Sequence, residues 1–512
     1  MLLPPAADGP APDLAPPESL VDKVPHSAGV VLLLGCGDRA AGVEHRRRNP
    51  TAQLIGIEAD MGLARPASAV LDQVYCLTLE PGPLPGLPPL DCILLAPGLA
   101  GTLAKPVEVL AELGRMLTPG GVLVAWLAFD GDNGAVALQH GMIARAGLHA
   151  LDAEGRTAPD GSRHIVWRVA AAAVEPVRVF STMLPAVGGV SQVRVVEPLA
   201  GMASEPAIVT VITNDLEGVP ALGDGAGIFV LHRPAFFGAE GLARLRGLMA
   251  RGWLVVCEFD DHPSQIAVLH RSDVQNFRAV HAIQTSTDAL AEVLGRENPE
   301  IAVFRNAIQQ LPEVANFADP GAITLLFAAL NREEDWPEHV DALNAAAAAA
   351  GGALRFHVIA DRAFFDALDT PHKLFTLLSD YATYLDILSR CEVSFMPLRD
   401  TLFNRCKSDL KYIEAAAHRV VALASPTAYG ESIADGVNGL LFDDAASLYD
   451  RLMGLVADHA GARAIAERGR ADVAGQRMLA YQTRRRVAWY RDLWSRRDAL
   501  HAALLRRMPE LS

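Results

Sequence analysis

Residues 403–442 read FNRCKSDLKYIEAAAHRVVALASPTAYGESIADGVNGLLF. Lys407, Lys411 and Glu414 follow one another at intervals of four and three, the spacing that aligns side chains on one face of a helix. The pattern predicts a helix from near Ser408, an apolar strand after it, and a Gly-rich turn carrying Glu431. Lys407 then stands at the positive end of the helix, where backbone N–H groups and the macrodipole favour an anion. Glu414, further along the same stripe, is an acceptor suited to the hydroxyls of a sugar or ribose. Such a layout fits a phosphorylated, hydroxyl-rich ligand. Taken alone it fits equally an exposed Lys411/Glu414 ion pair, worth about a few tenths of a kcal/mol, so the surrounding chain decides.

Working outward, the 512 residues are enough for roughly three domains. Apolar residues make up 51% and charged residues 21%, a globular composition. A formal net charge of −15 argues against nucleic-acid binding as the main business of the chain, because phosphate backbones demand positive potential. Cys36, Cys76, Cys92, Cys257, Cys391 and Cys406 form no CxxC pair, which fits neither a zinc ribbon nor a disulfide framework and suits a reducing cytoplasm. No apolar run approaches the ~20 residues of a membrane span, and the N-terminus lacks a basic-then-apolar signal pattern. A soluble protein is expected, with residues 1–27 a disordered Pro/Ala-rich leader.

The fold class expected is α/β, as three Rossmann-like domains at 28–172, 176–317 and 318–475, followed by C-terminal helices at 476–512. In the first domain, apolar runs at 29–37 (GVVLLLGCG), 53–58 (QLIGIE), 91–95 (DCILL) and 122–129 (VLVAWLAF) alternate with helical segments. Gly35 and Gly37 allow a close backbone approach at the first turn, and Glu58 ends the second strand where ribose hydroxyls can be taken. LLGCG, IGIEAD and LGRMLTPGGVLV resemble the class I S-adenosylmethionine-dependent methyltransferases over some 140 residues. That resemblance implies S-adenosylmethionine (SAM) held by Gly35, Gly37 and Glu58. Leu33 stands where the family usually has an acid, Asp38 and Arg39 follow the glycines, and LLAPGLAG lacks polar residues. A vestigial structural domain is therefore the alternative.

In the second domain, GGVSQVRVVEPLAGM places Gly188 and Gly189 in a loop that either presents N–H groups to a phosphate or is an ordinary turn. The helix after it carries Val193, Val196, Leu199 and Ala200 as a core-facing stripe. His232 and the pair Asp260/Asp261 fall at the C-terminal ends of strands, where open parallel sheets place their ligand crevice. Adjacent carboxylates could bind a metal, but nothing with ligand spacing accompanies them; a cap or turn role for Asp261 is the alternative. In the third domain, AITLLFAAL leads to Asn331 and Arg332, and EVSFMPL delivers the chain to the opening stretch. Tandem α/β domains imply a cleft between them.

Residues 176–475 resemble the GT-B-fold glycosyltransferases of the family 4-like, group 1 type. The matching elements are GGVSQVRVVEPLAGM, TSTDALAEVL with FRNAI, the ALNR turn, and KSDLKYIEAAAHRVVALASPTAYGESIADGVNGLLF. The resemblance implies that Glu414, the second glutamate of a Glu-x7-Glu pattern, bonds the ribose of a nucleotide-diphosphate sugar. The first glutamate's place is taken by Cys406. Arg332 matches the arginine that neutralises the diphosphate; the lysine expected about five residues later is replaced by Trp336 and Pro337, and Lys407 and Lys411 carry that charge instead. Asn331 belongs to the same turn, and Glu431 either contacts sugar or caps a following helix. His232 and Asp261 are candidates to take the acceptor's proton, the anomeric course would be retaining, and fixed cations would replace a metal.

The tail QTRRRVAWYRDLWSRRDALHAALLRRM carries eight arginines from Arg484 to Arg507. It is expected to pack back on the second domain; the alternative is peripheral contact with the inner face of a membrane through Trp489 and Trp494. The function these readings imply is a cytoplasmic glycosyltransferase acting on a glycan, lipid-linked or protein acceptor. Two alternatives stand beside it: a SAM-dependent glycan methyltransferase using the GT-B pair for recognition, and a non-catalytic binding protein.

Overall fold

A computed structural model describes residues 2–3, 20–37, 39–80, 84, 86–96, 99, 103–128, 133–157, 163–185, 189–265, 269 and 274–512. The protein is α/β, and the described residues form three sheets of eight, six and six strands. The chain divides into two compact bodies. One comprises Met1–Arg178, Ala200–Thr210 and Ala480–Val487; the other comprises Val179–Leu199, Val211–Leu479 and Ala488–Ser512.

The first sheet contains β1 (Leu2–Leu3), β2 (Val30–Leu34), β3 (Gln53–Glu58), β4 (Gln73–Cys76), β5 (Leu90–Leu95), β6 (Leu117–Ala128), β7 (His149–Thr157) and β8 (Arg163–Ala170). Their order is β1-β4-β3-β2-β5-β6-β8-β7. Pairing is parallel from β4 to β6, whereas β1 runs antiparallel to β4, and β8 antiparallel to both β6 and β7. Leu32, Leu54, Ile55, Cys92 and Ile93 are fully buried, as expected of strands covered on both faces. The TPGG segment expected before the last apolar strand lies inside β6. Gly120 there has φ +83°, and a Cβ on Gly121 would meet the Leu90 carbonyl oxygen at 2.9 Å.

Within the expected leader, residues 20–27 are not disordered. Leu20–Lys23 form a 3-10 turn, and Leu20, Val21, Val24 and His26 are buried. The His26 N–H donates to Ser204 Oγ at 2.9 Å. The Pro/Ala content that suggested a leader stops short of this stretch, whose Leu and Val have apolar surface to bury.

The second sheet contains β9 (Val177–Ser181), β10 (Ile208–Ile212), β11 (Ala226–His232), β12 (Leu254–Glu258), β13 (Ala282–Thr285) and β14 (Ile301–Val303), in the order β10-β9-β11-β12-β13-β14. The third contains β15 (Ile323–Ala328), β16 (Leu354–Ile359), β17 (Lys373–Thr376), β18 (Val393–Met396), β19 (Val421–Ala424) and β20 (Leu440–Leu441), in the order β17-β16-β15-β18-β19-β20, all parallel. The strand order of the third sheet reverses between β15 and β18, so a crevice is expected beyond the carboxyl ends of these two strands. Asp380 and Thr287 cap the starts of two helices, accepting from the Thr383 and Leu290 N–H groups.

The segment after Ser191 departs from the expected stripe. Gln192–Val196 form a wide π turn before the helix Glu197–Ala203. The extra residue per turn rotates the face inward, burying Arg194 and Val195 and leaving Ala200 exposed. Arg194 is neutralised by Glu258 at 2.8 Å and donates to the Phe304 carbonyl and Asn306 Oδ1.

Two passages link the second and third sheets, and they pair with each other. The Ile308 N–H donates to the Arg477 carbonyl at 2.9 Å, and the Leu479 N–H donates to the Ile308 carbonyl at 2.8 Å. Beyond them the tail forms the helices Ala480–Ser495 and Arg497–Arg507. Leu504, Met508 and Leu511 join the core of the second sheet, Tyr490 donates to Gln284 Oε1 at 2.7 Å, and Trp489 packs on Phe304. Arg496 binds Glu300 at 2.8 Å, and Arg507 donates to two backbone carbonyls. These side chains of the basic tail are therefore engaged within the protein. No helix among the described residues is long and apolar enough to cross a membrane.

Candidate functional site

The helix of the opening stretch runs Leu410–Ala417, with Asp409 as its N-cap, two residues later than the spacing predicted. The Asp409 side chain does not cap the helix. Arg477 at 2.5 Å and the Ser432 hydroxyl at 2.5 Å hold its carboxylate instead. Lys407 therefore precedes the helix, just after a short turn, Leu402–Arg405.

Glu414 is not half of an exposed ion pair. It is 2% exposed, and its two oxygens accept the hydroxyls of Tyr381 (2.7 Å) and Tyr384 (3.0 Å). Burial pushes its carboxyl above the usual range, opposed by the Lys411 charge and the two tyrosine hydroxyls. Lys411 is half-buried with its ammonium 5.0 Å from the centre of the Tyr384 ring, and burial lowers its pKa. Lys411, Glu414, Arg332 and Tyr381 line one cavity of about 260 Å³, together with Ala328, Ile359, Ala360, Leu378, Gly189 and Val190. Ala328 ends β15, so this cavity opens at the reversal of the third sheet.

Arg332 donates to Asp335 Oδ2 and to Asn404 Oδ1, each at 3.2 Å. Asn331 beside it is exposed with φ +55°, a left-handed conformation that asparagine tolerates. Gly189 lies against Tyr381, so closely that a Cβ would meet the ring at 2.6 Å; there the backbone requires glycine. Gly188 lies outside the described residues.

Lys407 is held by Asp261, with Nζ 2.9 Å and 3.1 Å from its two carboxylate oxygens. Asp261 follows β12 of the second sheet, so the pair joins the two sheets across their cleft. Arg233 completes the cluster, 2.6 Å from Asp260 and 3.8 Å from Asp261. A larger cavity of about 730 Å³ is lined by Lys407, Thr287 and Arg305 with Ser425, Thr427 and Glu431. The Glu431 side chain is 85% exposed, lies 3.8 Å from Arg305 and caps no helix, since turns and bridges follow it. His232 is 2% exposed; its Nδ1 accepts the Leu184 N–H and, among the described residues, its Nε2 has no partner. Burial lowers its pKa to about 4, so the ring is neutral at pH 7.

Cys406 does not face a ligand. It is 1% exposed within the apolar cluster of the second sheet, beside Leu290 and Leu294, and its carbonyl accepts the Thr287 hydroxyl at 3.1 Å. Sequence reasoning missed Tyr381, Tyr384, Arg194, Arg233 and Glu197. Tyrosines one turn apart behind Asp380 were the readable signal for the first two. Glu197 is pushed up to about 7 by burial, opposed by a hydrogen bond from Gln192 and reinforced by the nearby Glu414 charge.

In the first sheet, the Gly35 turn (φ +76°) lies where the order reverses between β2 and β5. Glu58 accepts from the chain itself. One carboxylate oxygen accepts the Gly37 N–H at 3.0 Å and the other accepts the Asp60 N–H at 3.2 Å. A Cβ on Gly35 would meet Ala96 at 2.9 Å, so with its positive φ that position requires glycine, whereas one on Gly37 would press on the exposed Leu63 side chain at 3.1 Å. Asp38 lies outside the described residues. The residues expected to hold SAM thus make hydrogen bonds and packing contacts within the protein itself. Among the described residues, no group of three or more His, Cys, Asp and Glu is placed to hold a metal ion.

Neither a protein-family model nor a curated protein matches the chain. Solved structures do. An S. aureus TarM mutant in complex with fondaparinux, alpha-GlcNAc-glycerol and UDP shares 10% identity over 52% of this chain and 55% of its own, with TM-score 0.40. Anabaena Alr3699/HepE in complex with UDP and glucose shares 11% identity over 61% of this chain and 98% of its own, with TM-score 0.43. An alpha-glucosyltransferase in complex with UDP-glucose and DNA containing an abasic site shares 12% identity over 62% of this chain and 99% of its own, with TM-score 0.44. The chain thus spans about half the length of TarM and nearly all of the other two.

Proposed function

We propose that the protein is a glycosyltransferase that moves a sugar from a nucleotide-diphosphate donor to an acceptor hydroxyl. The observation that carries this reading is the 260 Å³ cavity beyond β15, where Glu414, Lys411 and Arg332 converge beside apolar walls from Ala328, Ile359 and Leu378. Apolar walls suit a base, a carboxylate suits ribose hydroxyls, and two fixed cations suit phosphate. Glu414 already accepts two tyrosine hydroxyls, but each carboxylate oxygen keeps a second lone pair for a ribose hydroxyl.

Glycosyl transfer leaves negative charge on the departing diphosphate. Lys407, Lys411 and Arg332 supply the opposing charge without reorganising water, the condition under which electrostatic stabilisation is largest. The acceptor's proton is assigned to Asp261, which stands on the facing sheet, and not to His232, whose ring is almost wholly enclosed. The acceptor is read as a glycan, glycolipid or protein hydroxyl and the anomeric course as retaining, both from the family resemblance.

A donor-hydrolysis screen across UDP-, GDP- and ADP-sugars tests the proposal. Release of sugar from one donor is expected, falling about 10- to 100-fold in Glu414→Ala and in Lys411→Ala, the loss expected for a charged hydrogen-bond partner. Absence of both hydrolysis and nucleotide binding in the wild-type protein refutes it.

A further inference from the structure

The ion pair between Lys407 and Asp261 links residues 146 positions apart and joins the two sheets of the cleft. Its two halves are unequal. Asp261 has other support: Arg233 lies 3.8 Å away, and the His262 N–H donates to Asp261 Oδ1 at 3.0 Å. Among the described residues, Lys407 has no other carboxylate within ion-pairing distance. Its ammonium sits over the Phe403 ring, 4.2 Å from the centroid, at the wall of the 730 Å³ cavity. Removing the lysine leaves Asp261 compensated; removing the aspartate leaves a half-buried cation in want of an anion.

We propose that Asp261 is a positioning residue that stands in for the donor's diphosphate, holding Lys407 in the cleft until a diphosphate takes the ammonium over. The inference rests on the nucleotide-diphosphate reading of the cleft and adds an exchange of partners to it. Burial lowers the Lys407 pKa, Asp261 raises it again, and Arg332 lowers it as a like charge close by. A doubly charged ligand answers Lys407 and Arg332 together, where the single carboxylate of Asp261 does not. Donor binding then leaves Asp261 with Arg233 and the His262 N–H, its carboxylate facing the cleft without a lysine across it.

The exchange predicts an increase in affinity on removing a charge partner, which a structural role does not produce. Titration calorimetry with UDP, GDP and ADP on the full chain is expected to show Asp261→Asn binding about five- to tenfold tighter than wild type, the range for releasing one partly buried charge pair. The double variant Asp261→Asn/Lys407→Ala is expected to bind no tighter than Lys407→Ala alone, and Lys407→Arg is expected to retain the gain when combined with Asp261→Asn. Equal or weaker binding by folded Asp261→Asn overturns the inference. Inorganic pyrophosphate separates it from the reading beneath it. Pyrophosphate binding that strengthens in Asp261→Asn while no nucleotide binds sustains the exchange and refutes the nucleotide reading; silence from every probe overturns both.

Discussion

Replacing Cys406 with glutamate restores the residue that the resembled family carries at this position, and the structure predicts damage instead of repair. The thiol is 1% exposed among Leu290, Leu294 and their neighbours, and burial together with the charges of Asp261 and Glu292 raises its pKa. A carboxyl in the same place meets the same desolvation and the same two negative charges. If its pKa rises from about 4.3 to about 7, the charged form costs about 4 kcal/mol at 1.36 kcal/mol per unit. The larger side chain adds about 1–3 kcal/mol of overpacking. The sign with pH follows from a raised folded-state pKa: below the unfolded value of about 4.3 only the packing cost remains, and the deficit grows by about 1.4 kcal/mol per unit as pH rises toward the folded value. Urea unfolding of wild type and Cys406→Glu at pH 5 and pH 8 measures both parts. A variant as stable as wild type at pH 8, with faster donor hydrolysis, would show that the side chain reaches the cleft and that the apolar placement is wrong.

Two further outcomes follow from the same geometry. Glu197 has a folded-state pKa raised to about 7, so its contribution to stability is full below pH about 4.5 and is lost as pH rises through about 7; Glu197→Gln is expected to flatten the pH–stability curve by about 1–3 kcal/mol between pH 5 and pH 8, and an unchanged slope refutes the assignment. In the first sheet, Glu58→Ala removes acceptors for two backbone N–H groups and is expected to cost about 1–3 kcal/mol in urea unfolding; an unchanged unfolding midpoint refutes that role.

Much of the fold was legible because buried parallel strands announce themselves as short apolar runs. VVLLL, QLIGIE, ITLLFA and VSFM all became strands. HALDAEGRT did not announce itself: β7 lies at the edge of its sheet with most of its residues exposed or half-buried, so polar side chains outnumber apolar ones. The π turn after Ser191 escaped for another reason, since one added residue per turn changes which positions face the core without altering the composition. At the candidate site, Lys407, Asp261, Glu414 and Arg332 were each visible as residues with chemistry to offer. Their partners were not. The hydroxyls of Tyr381 and Tyr384 reach Glu414 from 33 and 30 positions away, and helical spacing is silent at that range. Cys406 drew attention as a missing glutamate, yet it is buried in the apolar cluster of the second sheet, with members such as Leu290 and Leu294 more than a hundred positions earlier in the sequence.

The pairing of Ile308 with Met478 and Leu479 restricts how the cleft can move. Both covalent passages between the second and third sheets run through this pair, tied by hydrogen bonds of 2.9 and 2.8 Å. Sliding one sheet past the other would break them, whereas rotation about the paired segments preserves them. A rotation that opened the cleft on this two-leaved hinge would part the Lys407–Asp261 pair and leave the hinge bonds intact. Spin labels on the two sides of the cleft should change separation on nucleotide binding, while the amides of Ile308 and Leu479 keep their protection from hydrogen exchange throughout.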